Sequence, residues 1–327
     1  MHMTPAHIAI PLLHPLAGLL SPRGSRARLS ILIFHRVVPE PDPFLPGDPD
    51  AARFRWQMQT VARLFNVLPL SEAVARLADQ TLPPRAACIT FDDGYADNVE
   101  VALPILSELK LPATFFIAVG YLNGGIMFND RILETLRRVP AGEVDLRCVG
   151  LPPESVDTMA QRYAVATKII RAVKHLEAAD REDRVQALAE QSPEPLPTDL
   201  MMTTAQLQRL ANSGMEIGGH TQTHPILMSI SDTQAREEIA GGREMLQSWL
   251  GQPVRLFAYP NGKPGQDYAP RHVDMVREAG FTAAVSTVPG VSTHHSDQWQ
   301  LARFTPWDTT PLRFAARLVR NLTLRVE

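Results

Sequence analysis

The sequence predicts an α/β fold, a distorted (β/α)7-type barrel with a helical insertion, and three observations predict it. Seven short runs rich in branched and aromatic residues recur at 29–35, 66–70, 86–92, 113–119, 215–220, 254–259 and 281–286. Longer amphipathic stretches separate them, and no glycine-rich phosphate loop follows any of them. Buried parallel strands read as continuous apolar runs, and repeated strand-then-helix units without a phosphate loop favour a closed or nearly closed barrel over a nucleotide-binding open sheet.

Taken in order, helical patterns fall at 54–65, 71–78, 99–109, 205–211, 233–250 and 272–279. Two starts carry capping-box spacing, Thr203 with Gln206 and Ser231 with Gln234, where a hydroxyl and an amide each satisfy an orphan N–H of the first turn. The rhythm breaks over about 123–200, with helical stretches near 131–138 and 159–176 and a stop at Pro193, Pro195 and Pro197. This reads as an insertion on one loop. The last helix, 312–322, carries Arg313, Arg317 and Arg320 on one side, a solvated face.

At 327 residues and 45% hydrophobic, the chain has ample core for one extended domain, assigned to 29–327. Residues 1–28 read as an N-terminal docking or membrane-surface segment. Their apolar run, 8–20, is broken by two prolines and His14, no Lys or Arg precedes it, and Arg23, Arg26 and Arg28 follow it. That is the reverse of a secretory signal's charge order, and the run is short of the roughly 20 residues a spanning helix needs. The expected location is cytoplasmic or membrane-associated rather than exported, with peripheral membrane contact.

Lys plus Arg number 32 against 35 for Asp plus Glu, a net charge of −3 that gives no reason to expect nucleic acid. The expected ligand is neutral or mildly charged. Cys88 and Cys148 build neither a disulfide framework nor a zinc knuckle. The oligomeric state is left open.

Two segments carry chemistry. Ile89-Thr90-Phe91-Asp92-Asp93-Gly94-Tyr95 ends a strand with adjacent carboxylates, and a turn there can aim both into one barrel mouth. Such a pair more often caps a helix or is solvated, so a second site decides. Gly218-Gly219-His220-Thr221-Gln222-Thr223-His224-Pro225 supplies it: two imidazoles separated by three residues can converge on one metal.

Together these segments resemble the polysaccharide deacetylase family, the family four carbohydrate esterases, over roughly 29–304. The resemblance implies a metal-dependent hydrolase that removes N-acetyl groups from an amino-sugar polymer. It implies Asp92 as the catalytic base, Asp93, His220 and His224 as metal ligands, and the backbone N–H of Tyr95 as an oxyanion donor. Phe257-Ala258-Tyr259-Pro260-Asn261-Gly262 is similar to the family's third motif, with Ala258 where many members have Arg, and Tyr259 and Pro260 become candidates for substrate contact or orientation. Arg303 is the candidate replacement for that missing Arg.

The family's late Leu-x-His element is absent; His294 and His295 stand in a different, polar loop. His35, at the end of the first strand, is similar to the acid of the circularly permuted poly-N-acetylglucosamine deacetylase branch, and is assigned as general acid. Asn129 and Asp130, at the start of the insertion, are candidate substrate contacts, and Trp56, Trp249, Trp299 and Trp307 candidate stacking surfaces.

The nitrogen-rich ligand set suits zinc first and also accepts iron, cobalt, nickel or manganese. Two other readings stand beside the first: a deacetylase or deformylase of peptidoglycan or small amides, and a carbohydrate-binding protein without turnover.

Overall fold

The structure, a computed structural model, describes residues 5–324, so both ends of the assigned regions, 1–4 and 325–327, lie outside the described residues. The chain divides into two compact units. One comprises residues up to 40, 47–120 and from 202 onward; the other comprises 41–46 and 121–201.

The first unit holds one seven-stranded sheet. Its strands are β1 (Leu29–Phe34), β2 (Asn66–Val67), β3 (Ala86–Phe91), β4 (Thr114–Ile117), β7 (Glu216–Gly219), β8 (Leu256–Ala258) and β9 (Ala283–Val285). All pairings are parallel, in the order β1, β3, β4, β7, β8, β9, with β2 beside the start of β3. All seven expected strands are present, trimmed where the chain must turn, as at Pro69 after β2 and Pro260 after β8.

The two edges are bridged. Leu301 pairs with Val285 of β9 and Phe304 with Leu32 of β1, both in parallel sense. Residues 301–304 thus stand between the first and last strands and carry Arg303 into the sheet, a link the strand periodicity does not reveal.

Around this sheet run α1 (Pro5–Leu20), α2 (Ala51–Leu64), α3 (Leu70–Ala78), α4 (Leu103–Glu108), α8 (Thr204–Asn212), α9 (Asp232–Leu250), α10 (Pro270–Glu278) and α11 (Pro311–Asn321). Both expected capping boxes form, at Thr203 and Ser231. α1 packs against α2 and α11. Its helicity is hidden in the sequence by Pro11 and Pro15, residues that remove backbone donors from a helix interior. Among the described residues no helix is long and apolar enough to cross a membrane. Beneath the strand ends, Phe91 stacks on Phe115 at 4.7 Å and on Phe34 at 5.5 Å, with the edge of Phe54 against Phe34. This aromatic layer gives the site a rigid floor.

The second unit overlaps the stretch 123–200, also includes residues 41–46, and has its own core. It contains α5 (Phe128–Arg138), β5 (Glu143–Val144), β6 (Glu154–Ser155), α6 (Met159–Val173) and α7 (Ala178–Ala189). Phe44, Ile132, Leu136, Val165, Ile169, Val185 and Leu188 pack together there. Only Val185 and Leu188 of α7 are buried, a stripe too narrow to stand out among its charges.

Candidate active site

Asp92 and Asp93 follow β3, His220 follows β7 and His35 follows β1, so all four leave the sheet at strand C-terminal ends. Asp93 adopts φ +77, a left-handed conformation that Asp tolerates better than most residues. This reversal lets neighbouring side chains, which alternate along a strand, serve one site. The turn is pinned by Asp92 N–H on the Phe34 carbonyl (3.0 Å) and Ala118 N–H on the Asp93 carbonyl (3.2 Å).

His220 is buried and its Nδ1 lies 2.7 Å from the Ala258 carbonyl. A carbonyl only accepts, so Nδ1 carries a proton and donates; Nε2 faces the acids, and although burial pushes the His220 pKa down, the charges of Asp92 and Asp93 outweigh it and raise it, so Nε2 is freed to coordinate when a cation displaces its proton. The residue that departs from the family's third motif therefore contributes through its backbone. Thr221 and His224 take φ +64 and +55, and the Thr221 hydroxyl accepts from His224 N–H at 3.1 Å, folding the loop so that the second imidazole returns beside the first. The two rings stand 4.7 Å apart.

Asp93, His220 and His224 each offer one ligand atom within 4.8 Å of the others. His220 Nε2 is 3.4 Å and His224 Nε2 3.5 Å from Asp93 Oδ1. Ligand atoms about 2.0–2.1 Å from a tetrahedrally bound zinc ion stand about 3.3 Å from one another, close to this spacing. Asp93 Oδ1 is buried without a hydrogen-bond donor, so the residues present fit a cation. Burial alone would raise the Asp93 carboxyl, but the facing imidazoles of His220 and His224 and the charge of His35 hold it well below the usual carboxylate range. Burial pushes His224 down to about 4, keeping it neutral and able to coordinate.

Asp92 is held from the other side. Arg303, also buried, donates from Nη1 to Oδ1 and from Nη2 to Oδ2, each at 2.7 Å, while its Nε donates to the Ser286 carbonyl at 2.8 Å. Arg303 thus reaches Asp92 from the segment that bridges the sheet edges. Asp92 Oδ2 stands 3.9 Å from His220 Nε2, beside the metal-competent cluster but outside it.

His35 is solvent-exposed, and its charge reaches Asp92, Asp93 and His224. Tyr95 follows directly on the Asp93–Gly94 turn.

Some expected contacts are corrected. Tyr259 and Pro260 are buried, and Tyr259 stacks face to face on Tyr268 at 3.8 Å, so neither has surface to offer a glycan and only an orienting role is left. Asp130, in the second unit, is 2% exposed and equally unavailable, while Asn129 beside it is partly exposed. Trp56 packs edge-on against Phe314, and Trp299 lies under the Arg277 guanidinium; Trp307 is 61% exposed. The rings of His294 and His295 lie 3.8 Å apart, tilted by 41°, in the loop after β9.

Glu238 of α9 is a supporting residue that the sequence does not single out. Its carboxylate accepts from Gln222 N–H and Thr223 N–H, both at 2.8 Å, and from the Thr223 hydroxyl at 2.6 Å, fixing the loop between the two histidines. A glutamate on an amphipathic helix reads as a solvated charge, and its partners become visible only in three dimensions.

The family model described as Polysaccharide deacetylase matches residues 79–284. The protein YxkH of Bacillus subtilis (strain 168), whose name places it among polysaccharide deacetylases, is 20% identical over 278 residues, covering 85% of this chain and 71% of its own length. The Streptococcus pyogenes deacetylase PplD, solved in complex with acetate, superposes with a TM-score of 0.60 at 17% identity, covering 90% of this chain and 98% of that one. IcaB from Ammonifex degensii superposes with a TM-score of 0.55 at 19% identity, covering 92% and 98%. At these identities the solved structures bear on the fold, a curled, mostly parallel sheet with surrounding helices.

Proposed function

This chain belongs to the polysaccharide deacetylase family, and from that premise we propose that it is a metal-dependent hydrolase removing N-acetyl groups from an amino-sugar polymer. The observation that carries the reading is the convergence of Asp93, His220 and His224 beside an Asp92 gripped by Arg303.

A divalent cation held by Asp93, His220 and His224 would polarise the amide carbonyl and acidify water, and zinc is the first choice for one carboxylate and two imidazoles. Asp92 accepts the proton of the attacking water. Arg303 keeps that carboxylate charged and fixes its direction. The backbone N–H of Tyr95 holds the developing oxyanion. His35, free to face solvent and substrate, donates a proton to the departing nitrogen, so that the C–N bond breaks to acetate and a free amine.

The position of His35 directly after the first strand, ahead of the acid pair, supports the circularly permuted poly-N-acetylglucosamine branch and an exopolysaccharide as the polymer. Asn129 is assigned to substrate contact, which unchanged kinetics in Asn129→Ala would dismiss. Residues 1–28 are assigned to docking or to a membrane surface: α1 packs against α2 and α11, which supports docking, while Leu19 is 80% exposed; failure to sediment with anionic lipid vesicles would remove the membrane role. The intact acid pair and histidine pair speak against the non-catalytic reading.

The testing experiment is acetate release from N-acetylglucosamine oligomers, with and without chelator and added zinc, beside Asp92→Ala. Metal-dependent release that disappears in Asp92→Ala is expected. No release from protein carrying one equivalent of metal would redirect the assignment to peptidoglycan or small amides.

A further inference from the structure

Asp97 is a buried carboxylate that the mechanism above leaves unused. With its neighbour Asn98 it holds three consecutive residues where the chain leaves β1. Asn98 Nδ2 donates to the His35 carbonyl at 2.9 Å and to Asp97 Oδ1 at 3.2 Å. Arg36 Nε donates to Asp97 Oδ2 at 2.7 Å, and Val37 N–H donates to Asp97 Oδ1 at 3.2 Å. The Arg36 guanidinium also lies over the Tyr95 ring, 4.8 Å from its centroid.

The His35 imidazole, by contrast, is exposed, and among the described residues no hydrogen bond holds its ring. Its place in the site is therefore set by its backbone. That backbone is tied to the loop after β3, which carries Asp92, Asp93 and Tyr95. The tie falls where Asn98 opens a short π-helical turn, Asn98–Ala102, a local irregularity of a kind that often marks functional sites.

We propose that Asp97 and Asn98 are positioning residues that clamp the His35 backbone to the turn bearing the catalytic base, so that acid and base share one frame. The inference rests on the reading of His35 as the general acid. A misplacement of about 1 Å in a reacting group costs up to about 10²-fold in rate, which is the scale of effect such a clamp guards against.

The test is a double-mutant cycle on the metal-loaded enzyme. Asn98→Ala removes the bonds to the His35 carbonyl and to Asp97 Oδ1 without removing a charge; it should lower kcat about tenfold, with KM within about twofold and bound metal at wild-type stoichiometry. Asp97→Asn, which also removes the Asp97 charge facing Arg36, should lower kcat further in the same pattern. In a His35→Ala background, Asn98→Ala should change kcat by less than about twofold, because the group it positions is gone.

Full activity in His35→Ala would overturn the acid assignment and the clamp with it. An impaired His35→Ala together with an unaffected Asn98→Ala, or with an Asn98→Ala effect equal in both backgrounds, would overturn the clamp alone. A loss of kcat in Asn98→Ala accompanied by lost metal would mark a structural role and likewise overturn it.

Discussion

Arg303 grips Asp92 through both carboxylate oxygens at 2.7 Å, from a position 211 residues further along the chain. Both side chains are buried, so the pair has little solvent to compete with it. Removing one partner of a buried pair leaves an uncompensated charge and costs about 3–5 kcal/mol. Arg303→Ala is expected to lose stability on that scale in denaturant titration, and Arg303→Lys to restore little, since an ammonium cannot replace a two-pronged guanidinium.

The same pair sets a pH dependence. Burial, the largest influence, raises the Asp92 carboxyl, but the charges of Arg303 and then His220 outweigh it and hold the group below its usual range. A depressed folded pKa adds stability above the unfolded value of about 3.9, and that share is lost as pH falls through the folded value. In Arg303→Gln the Asp92 pKa rises, so the acid limb of kcat/KM should move to higher pH. An acid limb at the wild-type position would show that Asp92 is not the base it reports.

Asp93 is expected to behave differently from Asp92. Two imidazoles alone hold a labile catalytic metal poorly, so Asp93→Ala should lose both bound metal and activity, whereas Asp92→Ala should lose activity and keep the metal. Elemental analysis of the purified variants separates the two. One equivalent of metal retained by Asp93→Ala would contradict the ligand role.

What the sequence discloses, and what it hides, follows from the range of the interactions. β1, β3 and β4 are legible because a strand buried on both faces is a local run of apolar residues, and the capping boxes at Thr203 and Ser231 span four residues each. Asp92, Asp93, His220 and His224 are legible because each pair is compact in the chain. The Ala258 carbonyl that orients His220 is a backbone group with no sequence signal at all. The burial of Tyr259 and Asp130 depends on packing from distant elements, which is why the substrate contacts expected of them fail.

Glu238 illustrates the hidden class and gives a fourth expectation. It accepts three hydrogen bonds from Gln222 and Thr223, two of the three residues between the histidines. Partners that orient metal ligands typically account for about 10- to 100-fold in metal affinity. Glu238→Ala should therefore weaken binding by that factor in chelator competition, while kcat at saturating metal stays near wild type. Unchanged affinity would mean that the loop is held by its own turns.

Gly242 of α9 supports the same loop from behind. A Cβ built there would lie 2.9 Å from the carbonyl carbon and oxygen of Thr221, backbone atoms with little room to give. Thr221 already adopts φ +64 and stands between His220 and the hydroxyl-anchored His224, so any displacement is passed to the imidazoles. Overpacking at a site of this kind costs about 1–3 kcal/mol. Gly242→Ala is expected to lower the melting temperature and to weaken metal binding together. A Gly242→Ala protein that melts earlier but binds metal as tightly as wild type would show that α9 yields and the histidine loop does not, and would place the rigidity of the site in the sheet ends alone.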